Sequence, residues 1–237
     1  MKILITNDDG IRSDGIIRLA EAAVRIGDVW VVAPESQRSA QSHSITLRHC
    51  IDAWKEDFPV KGVNAYACSG TPADCVRIGV LNIVPGKPDL VLSGINYGFN
   101  VATDLQYSAT AGAAFEAAFQ GIHTIAFSED ACDVHEVTDR YLQELLEELV
   151  KVSPGHNRIW NVNFPGCRLS ECKGILRDRK VCTNRAFYCD TYDESAGEGC
   201  RISYMVNGKR NFIAEEDTDL KAVFENYVSV GLVNNIT

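Results

Sequence analysis

The acidic pair Asp8-Asp9 follows the short aliphatic run Lys2 to Thr6 and is followed at once by Gly10. Adjacent carboxylates raise each other's pKa unless a cation sits between them, and a hard divalent ion such as Mg²⁺, which takes oxygen ligands, would resolve the conflict. The pair could equally begin a loop and cap the next helix. Farther along, Ser93-Gly94-Ile95-Asn96-Tyr97-Gly98-Phe99-Asn100 closes another apolar run. Asn96 could offer a cation a neutral carbonyl oxygen, so that Asp8, Asp9 and Asn96 hold the ion and leave it electrophilic. The same composition also suits an ordinary turn. Tyr107-Ser108-Ala109-Thr110 opens an Ala-rich stretch with hydroxyls and free N–H groups at a helix's positive end. Ser108 or Thr110 could bond a phosphate oxygen there, or simply cap the helix. Ser69-Gly70-Thr71-Pro72-Ala73-Asp74 repeats that chemistry. The segment Pro34 to Ser44 adds four serines, Arg38 and His43. Its His43 could shuttle a proton, or the whole segment could be a plain solvated loop. Carboxylates, amides, hydroxyls and helix ends together are the inventory for metal-assisted phosphoryl chemistry.

The elements that must position these groups follow from periodicity. After Gly10, apolar residues Ile16, Ile17, Leu19, Ala20, Ala23, Val24 and Ile26 recur near the helical period. Asp28 to Ala33 lacks polar alternation and reads as a strand buried on both faces. Helix Thr71 to Ile83, strand Pro88 to Ser93, helix Thr110 to Gln120, strand Ile122 to Ser128, helix Val134 to Val152 and strand Arg158 to Asn163 continue the alternation. The expected class is α/β, a Rossmann-like three-layer core with a mostly parallel sheet. Its ligands would sit beyond the carboxyl ends of the strands, where the loops above converge. Ser44 to Trp54 and Gly62 to Cys68 read as an inserted β-hairpin. Residues 1–165 are expected to form the catalytic core. After Pro165, residues 166–237 read as a C-terminal β-rich arm of the same domain, packing on the body or on another subunit. Ala186 to Tyr192 and Arg201 to Val206 are its strands around a turn at Asn207-Gly208, and Leu220 to Val233 docks back.

Composition narrows the function classes. The 237 residues are 46% hydrophobic and 23% charged, in the range of globular proteins. A net charge of −9 argues against nucleic acid duplexes and anionic membranes as partners. The opening MKILITNDDG has an acidic pair where a signal peptide needs apolar residues, so a cytoplasmic location is expected. The nine cysteines are odd in number and lack Cys-x-x-Cys spacing. Free thiols are the expectation, with Cys167 and Cys172 the nearest approach to a metal pair.

Taken together, TNDDG at 6–10, VVAPESQRSAQSHSITL at 31–47, SGTPADCVRIG at 69–79, SGINYGFN at 93–100, YSATAGAAFEAA at 107–118, NVNFP at 161–165 and TDLKAVFENYVSVGLV at 218–233 resemble the SurE family. The resemblance covers nearly the whole chain in order. It implies a phosphatase dependent on one divalent ion per subunit, Mg²⁺ or Mn²⁺, acting on nucleoside monophosphates as a 5′-nucleotidase and on other phosphate monoesters, and assembled as a homodimer or homotetramer through an exchanged C-terminal arm. It also implies that Asp8, Asp9, Ser39 and Asn96 are the metal ligands, that Asp8 and Asp9 are catalytic, and that Asn7, Asn100, Ser108 and Thr110 line the phosphate pocket. The family usually has glycine where this chain has Ala40 and Ala109. If either position needs positive φ or a close phosphate approach, alanine costs about 1 kcal/mol or crowds the substrate. The alternative expectation is a nucleotide-binding protein with little turnover. Two other acid-bearing folds are excluded by residue type: position 7 is Asn where a haloacid-dehalogenase-type phosphatase needs its nucleophilic Asp, and a receiver domain's later acceptor Asp is replaced by Ser93 and Asn96.

Overall fold

The structure, a computed structural model, describes residues 1–183, 188–196, 202–211 and 213–236. The chain begins β1 (Lys2–Thr6), α1 (Asp14–Ala23), β2 (Asp28–Pro34), β3 (Ala53–Lys55), β4 (Asn64–Cys68), α2 (Pro72–Ile78) and β5 (Leu90–Tyr97). It continues α3 (Ala109–Phe119), β6 (His123–Glu129), α4 (Glu136–Leu149), β7 (Arg158–Phe164), β8 (Ile175–Leu176), β9 (Tyr188–Ala196), β10 (Ile202–Arg210), α5 (Asp219–Phe224) and β11 (Val228–Asn234).

The larger sheet has nine strands in the order β3-β4-β2-β1-β5-β6-β7-β11-β8. From β4 through β7 every neighbouring pair is parallel. Such a sheet needs cover on both faces, and β1 shows how its sequence provides it. Ile3 and Ile5 pack with Leu19 and Ala23 of α1 and Leu145 of α4, whereas Leu4 between them packs with Val76 of α2 and Ala113 of α3. Successive strand residues face opposite layers, so an unbroken aliphatic run is what a central strand requires. Full burial of each such side chain contributes roughly 1.5–3 kcal/mol. The three-layer α/β expectation is therefore met.

Strand order also fixes where a ligand can bind. The chain runs outward from β1 to β2 and β4, then returns to place β5 on the other side of β1. The loops leaving β1 and β5 diverge, and a crevice opens at their carboxyl ends. Asp8, Asp9 and Asn96 lie at this switch point.

Several local expectations need correction. Of Ser44 to Trp54, only Ala53 and Trp54 fall in a strand, β3, which pairs antiparallel with β4. Because β4 also pairs with β2, the expected insertion is an edge of the main sheet. The Asn207-Gly208 turn is absent. Both residues lie inside β10, opposite Thr191 and Asp190 of β9. Asn207 is held there by cross-strand bonds, its side chain donating to Asp193 at 2.9 Å and its carbonyl accepting from Thr191 at 2.7 Å, and these outweigh its turn propensity. Ala186, Phe187 and Arg201 of the expected arm strands lie outside the described residues. The tail does dock back: β11 pairs antiparallel with β7. The root of the arm is pinned where Asp219 accepts N–H bonds from Ala102 and Cys182, each 3.0 Å long.

Candidate active site

Asp8 leaves the buried end of β1 only 3% exposed. Burial, reinforced by the neighbouring Asp9 charge, pushes its carboxyl up to about 7, against the lowering effect of a hydrogen bond donated by the Thr110 hydroxyl. Asp9 is also raised by burial, with the Glu129 carboxylate adding to the effect. Its two oxygens are engaged across the crevice: Oδ2 accepts from the Tyr97 backbone N–H at 2.9 Å and Oδ1 from the Gln37 amide at 3.4 Å. Gln37 also donates to the Ser39 hydroxyl at 3.1 Å, which joins the second loop to the acidic pair. Gly10 permits this closeness. Its φ is +100°, and a Cβ would stand 3.3 Å from the Ser36 carbonyl carbon.

The end of β5 completes the convergence. The Asn96 side chain donates to the Gly98 carbonyl at 2.7 Å, so its amide oxygen is the atom left to accept a cation. Asn7 donates to Gly10 and Ser13, at 3.0 and 2.8 Å, while its buried Oδ1 has no partner. The donor set of Asp8, Asp9, Ser39 and Asn96 is all oxygen, with two carboxylates whose burial a cation would offset. Those residues fit a hard divalent ion. Among the described residues no group of three or more His, Cys, Asp or Glu could hold a metal. The Cys167–Cys172 alternative therefore gains nothing, and burial raises the Cys167 thiol to about 11, away from a ligating thiolate.

Opposite the acids, α3 begins at Ser108, whose hydroxyl oxygen caps the helix by accepting from the Ala111 N–H at 2.9 Å. That bond leaves the Ser108 O–H free to donate. Thr110 is fully buried and faces Asp8. Asn100 is held by partners that its own loop does not reveal. Its side chain donates to Ser128 at 2.8 Å, its N–H donates to Asn163 at 2.8 Å, and its carbonyl accepts from Asn161 and Asn163 at 2.9 and 3.1 Å. Asn161 and Asn163, spaced two apart on a buried strand, were the missed signal: polar side chains on one face of β7 with no solvent to satisfy them.

Two sequence expectations end differently. Thr71 does not open a second anion site, because Asp74 closes it: the two form a capping box, and Asp74 also binds the Thr46 N–H and hydroxyl. A buried carboxylate already occupies that helix end. His43 is engaged by α3, with no hydrogen bond to the acidic pair. Its Nε2 lies 2.9 Å from Glu116 on α3, more than a turn below the helix N-terminus.

Ala40, where the family usually has glycine, takes φ +57°, whereas Ala109 is an ordinary helical residue. Only the first departure carries backbone strain.

Comparison with known proteins agrees with this architecture. Residues 3–186 match the family described as survival protein SurE. A 5′-nucleotidase SurE of a Thermoanaerobacter species is 38% identical over 237 residues, 97% of this chain and 90% of the relative. One from Clostridium botulinum is 38% identical over 236 residues, covering 97% and 91%. The crystal structure of the SurE protein from Aquifex aeolicus superposes with a TM-score of 0.84 at 33% identity, over 100% of this chain and 95% of the other. With the fold, the motif order and these relatives in accord, the chain belongs to the SurE family.

Proposed function

We infer that this protein is a phosphoric monoester hydrolase of the 5′-nucleotidase type, dependent on one divalent ion, Mg²⁺ or Mn²⁺, per subunit. The observation that carries the inference is the meeting of Asp8, Asp9 and the Asn96 loop at the switch point, with Thr110 of α3 bonded to Asp8. Asp8, Asp9, Ser39 and Asn96 would hold the ion. When bound, it supplies a Lewis acid that neutralises charge on the phosphoryl group. Asp8 and Asp9 would supply the negative charge that holds the ion, and one of the two carboxylates would accept the proton of an attacking water. Thr110 fixes the Asp8 carboxylate. Ser108 and the first-turn N–H groups of α3 that its cap leaves open would supply donors for phosphate oxygens, Asn100 would border the pocket, and Asn7, whose amide is spent on Gly10 and Ser13, would hold the loop that carries the acids.

Assembly as a homodimer or homotetramer follows from the arm. The ribbon β9–β10 exposes Tyr192, Ile202, Tyr204, Met205 and Val206, and a lone two-stranded ribbon is marginal in water. A second copy that receives it would bury those side chains. No helix among the described residues is long and apolar enough to cross a membrane. Cys50, Cys68, Cys75, Cys132, Cys167, Cys172 and Cys182 are free thiols, which suits a cytoplasmic setting.

The test is a panel of nucleoside monophosphates and an aryl phosphate, assayed with and without Mg²⁺ or Mn²⁺, with Asp8→Asn as control. Metal-dependent phosphate release lost in that variant is expected. Strain at Ala40 favours a second outcome, nucleotide binding without release, and the same panel with a binding readout separates the two.

A further inference from the structure

The loop that carries Ser39 is bent twice through the left-handed region by residues other than glycine, Ala40 at φ +57° and Ser42 at φ +53°. Each such residue costs on the order of 1 kcal/mol and persists only where its surroundings over-determine it. Here the surroundings belong to α3 and to the residues that lead into it. The Ser42 N–H donates to the Tyr107 carbonyl at 3.0 Å and its hydroxyl to the Gln106 carbonyl at 2.7 Å. Gly112 lets the loop lie directly on the helix, because a Cβ there would overlap the Ser42 carbonyl and stand 2.9 Å from the His43 Cα. His43 then runs down α3 to Glu116, one turn beyond Gly112, at 2.9 Å.

Glu116 is 3% exposed and fixed from the other side by Arg77 at 3.1 Å and Gln120 at 2.8 Å. A buried carboxylate held by three donors from two helices and one loop is more than a helix surface needs. It makes a rigid post to which a strained loop can be tied.

We propose that Glu116, acting through His43, is a positioning residue: it clamps the strained loop 39–43 onto α3 and so places Ser39 beside Asp9 for the divalent ion. The inference rests on Ser39 being a ligand, as proposed above. It turns His43 from a candidate proton carrier into a tether, a nitrogen donor on a stem long enough to reach a post one helical turn beyond Gly112.

The test uses full-length protein, without substrate, titrated with Mn²⁺ by calorimetry and followed by hydrogen exchange of the Ser42 N–H. His43→Ala should weaken Mn²⁺ binding on the order of tenfold, the lower end for loss of an outer support. It should speed Ser42 exchange and lower the thermal midpoint only modestly, because Arg77 and Gln120 still hold Glu116. His43→Gln retains a donor for Glu116 and should regain most of the affinity. Unaltered Mn²⁺ affinity in His43→Ala, or equal losses in the Ala and Gln variants, would overturn the clamp while the metal site stood. Absence of Mn²⁺ binding in the parent protein would overturn the ligand assignment itself, and the clamp's purpose with it.

Discussion

The helices α2 and α3 begin alike and end up with opposite uses. Both are entered through a hydroxyl cap, Thr71 in one and Ser108 in the other. In α2 the third residue is Asp74, so the chain's own carboxylate closes the positive end and ties down Thr46 as well. In α3 the corresponding residue is Ala111, and the first turn has no acid of its own. An acid reaches it from the loop after β1, as Asp8 bound to Thr110. One helix end is thus finished by local sequence, and the other is left for something that arrives from outside the helix. Whether a helix N-terminus is a structural cap or a ligand site depends on who supplies the negative charge.

The largest effect expected from probing this contrast is at Asp8. Asp8→Asn should lower kcat by a factor on the order of a thousand or more, several kcal/mol of transition-state stabilisation, measured with saturating Mn²⁺. Stability should not fall, since the variant removes a buried like charge that destabilises the fold; urea unfolding of the metal-free proteins at pH 7 checks this. Next comes Asp74→Ala, the matching change on α2. It orphans the Thr46 and Thr71 N–H groups and should cost about 2–4 kcal/mol in chemical denaturation with far less change in turnover. A reversal of these two outcomes would invert the roles of the helix ends.

The third expectation concerns pH. The Asp8 carboxyl is raised to about 7 in the metal-free fold, so its stabilising contribution is complete below the unfolded value near 3.8 and is lost as pH rises through 7. Divalent binding runs the other way, because the ion requires the carboxylate. Calorimetric Mn²⁺ affinity should climb up to tenfold per unit below about pH 7 and level off above it, and Asp8→Asn should flatten the curve. The smallest effects are at the two alanines. Ala40→Gly should stabilise by about 1 kcal/mol, while Ala109→Gly, within helical geometry, should destabilise by a similar or smaller amount in thermal unfolding.

Much of this was legible in the residues. An aliphatic run such as Ile3-Leu4-Ile5 can only be a strand covered on both faces, and the alternation of such runs with helical periods dictates a parallel sheet and a switch point. The acids at 8 and 9 and Asn96 stand out because they interrupt those runs at their carboxyl ends. What escaped was chemistry settled by distant partners. Asp74 could not be seen to bind Thr46, nor Asn163 to hold Asn100, because sequence separation hides such pairs. Gln37 went unnoticed for the same reason, as a polar loop residue until Asp9 and Ser39 flank it. Asn207-Gly208 misled because a turn preference of this size yields to nine paired residues of ribbon.

The position of Asp219 has a mechanical side. One of its oxygens grips the root of the exposed ribbon at Cys182, and the other grips Ala102, two residues past Asn100. A neighbour that seized the ribbon, as proposed above, would therefore tug on a knot, not on a slack leash, and the strand of rope beyond that knot leads to the proposed crevice.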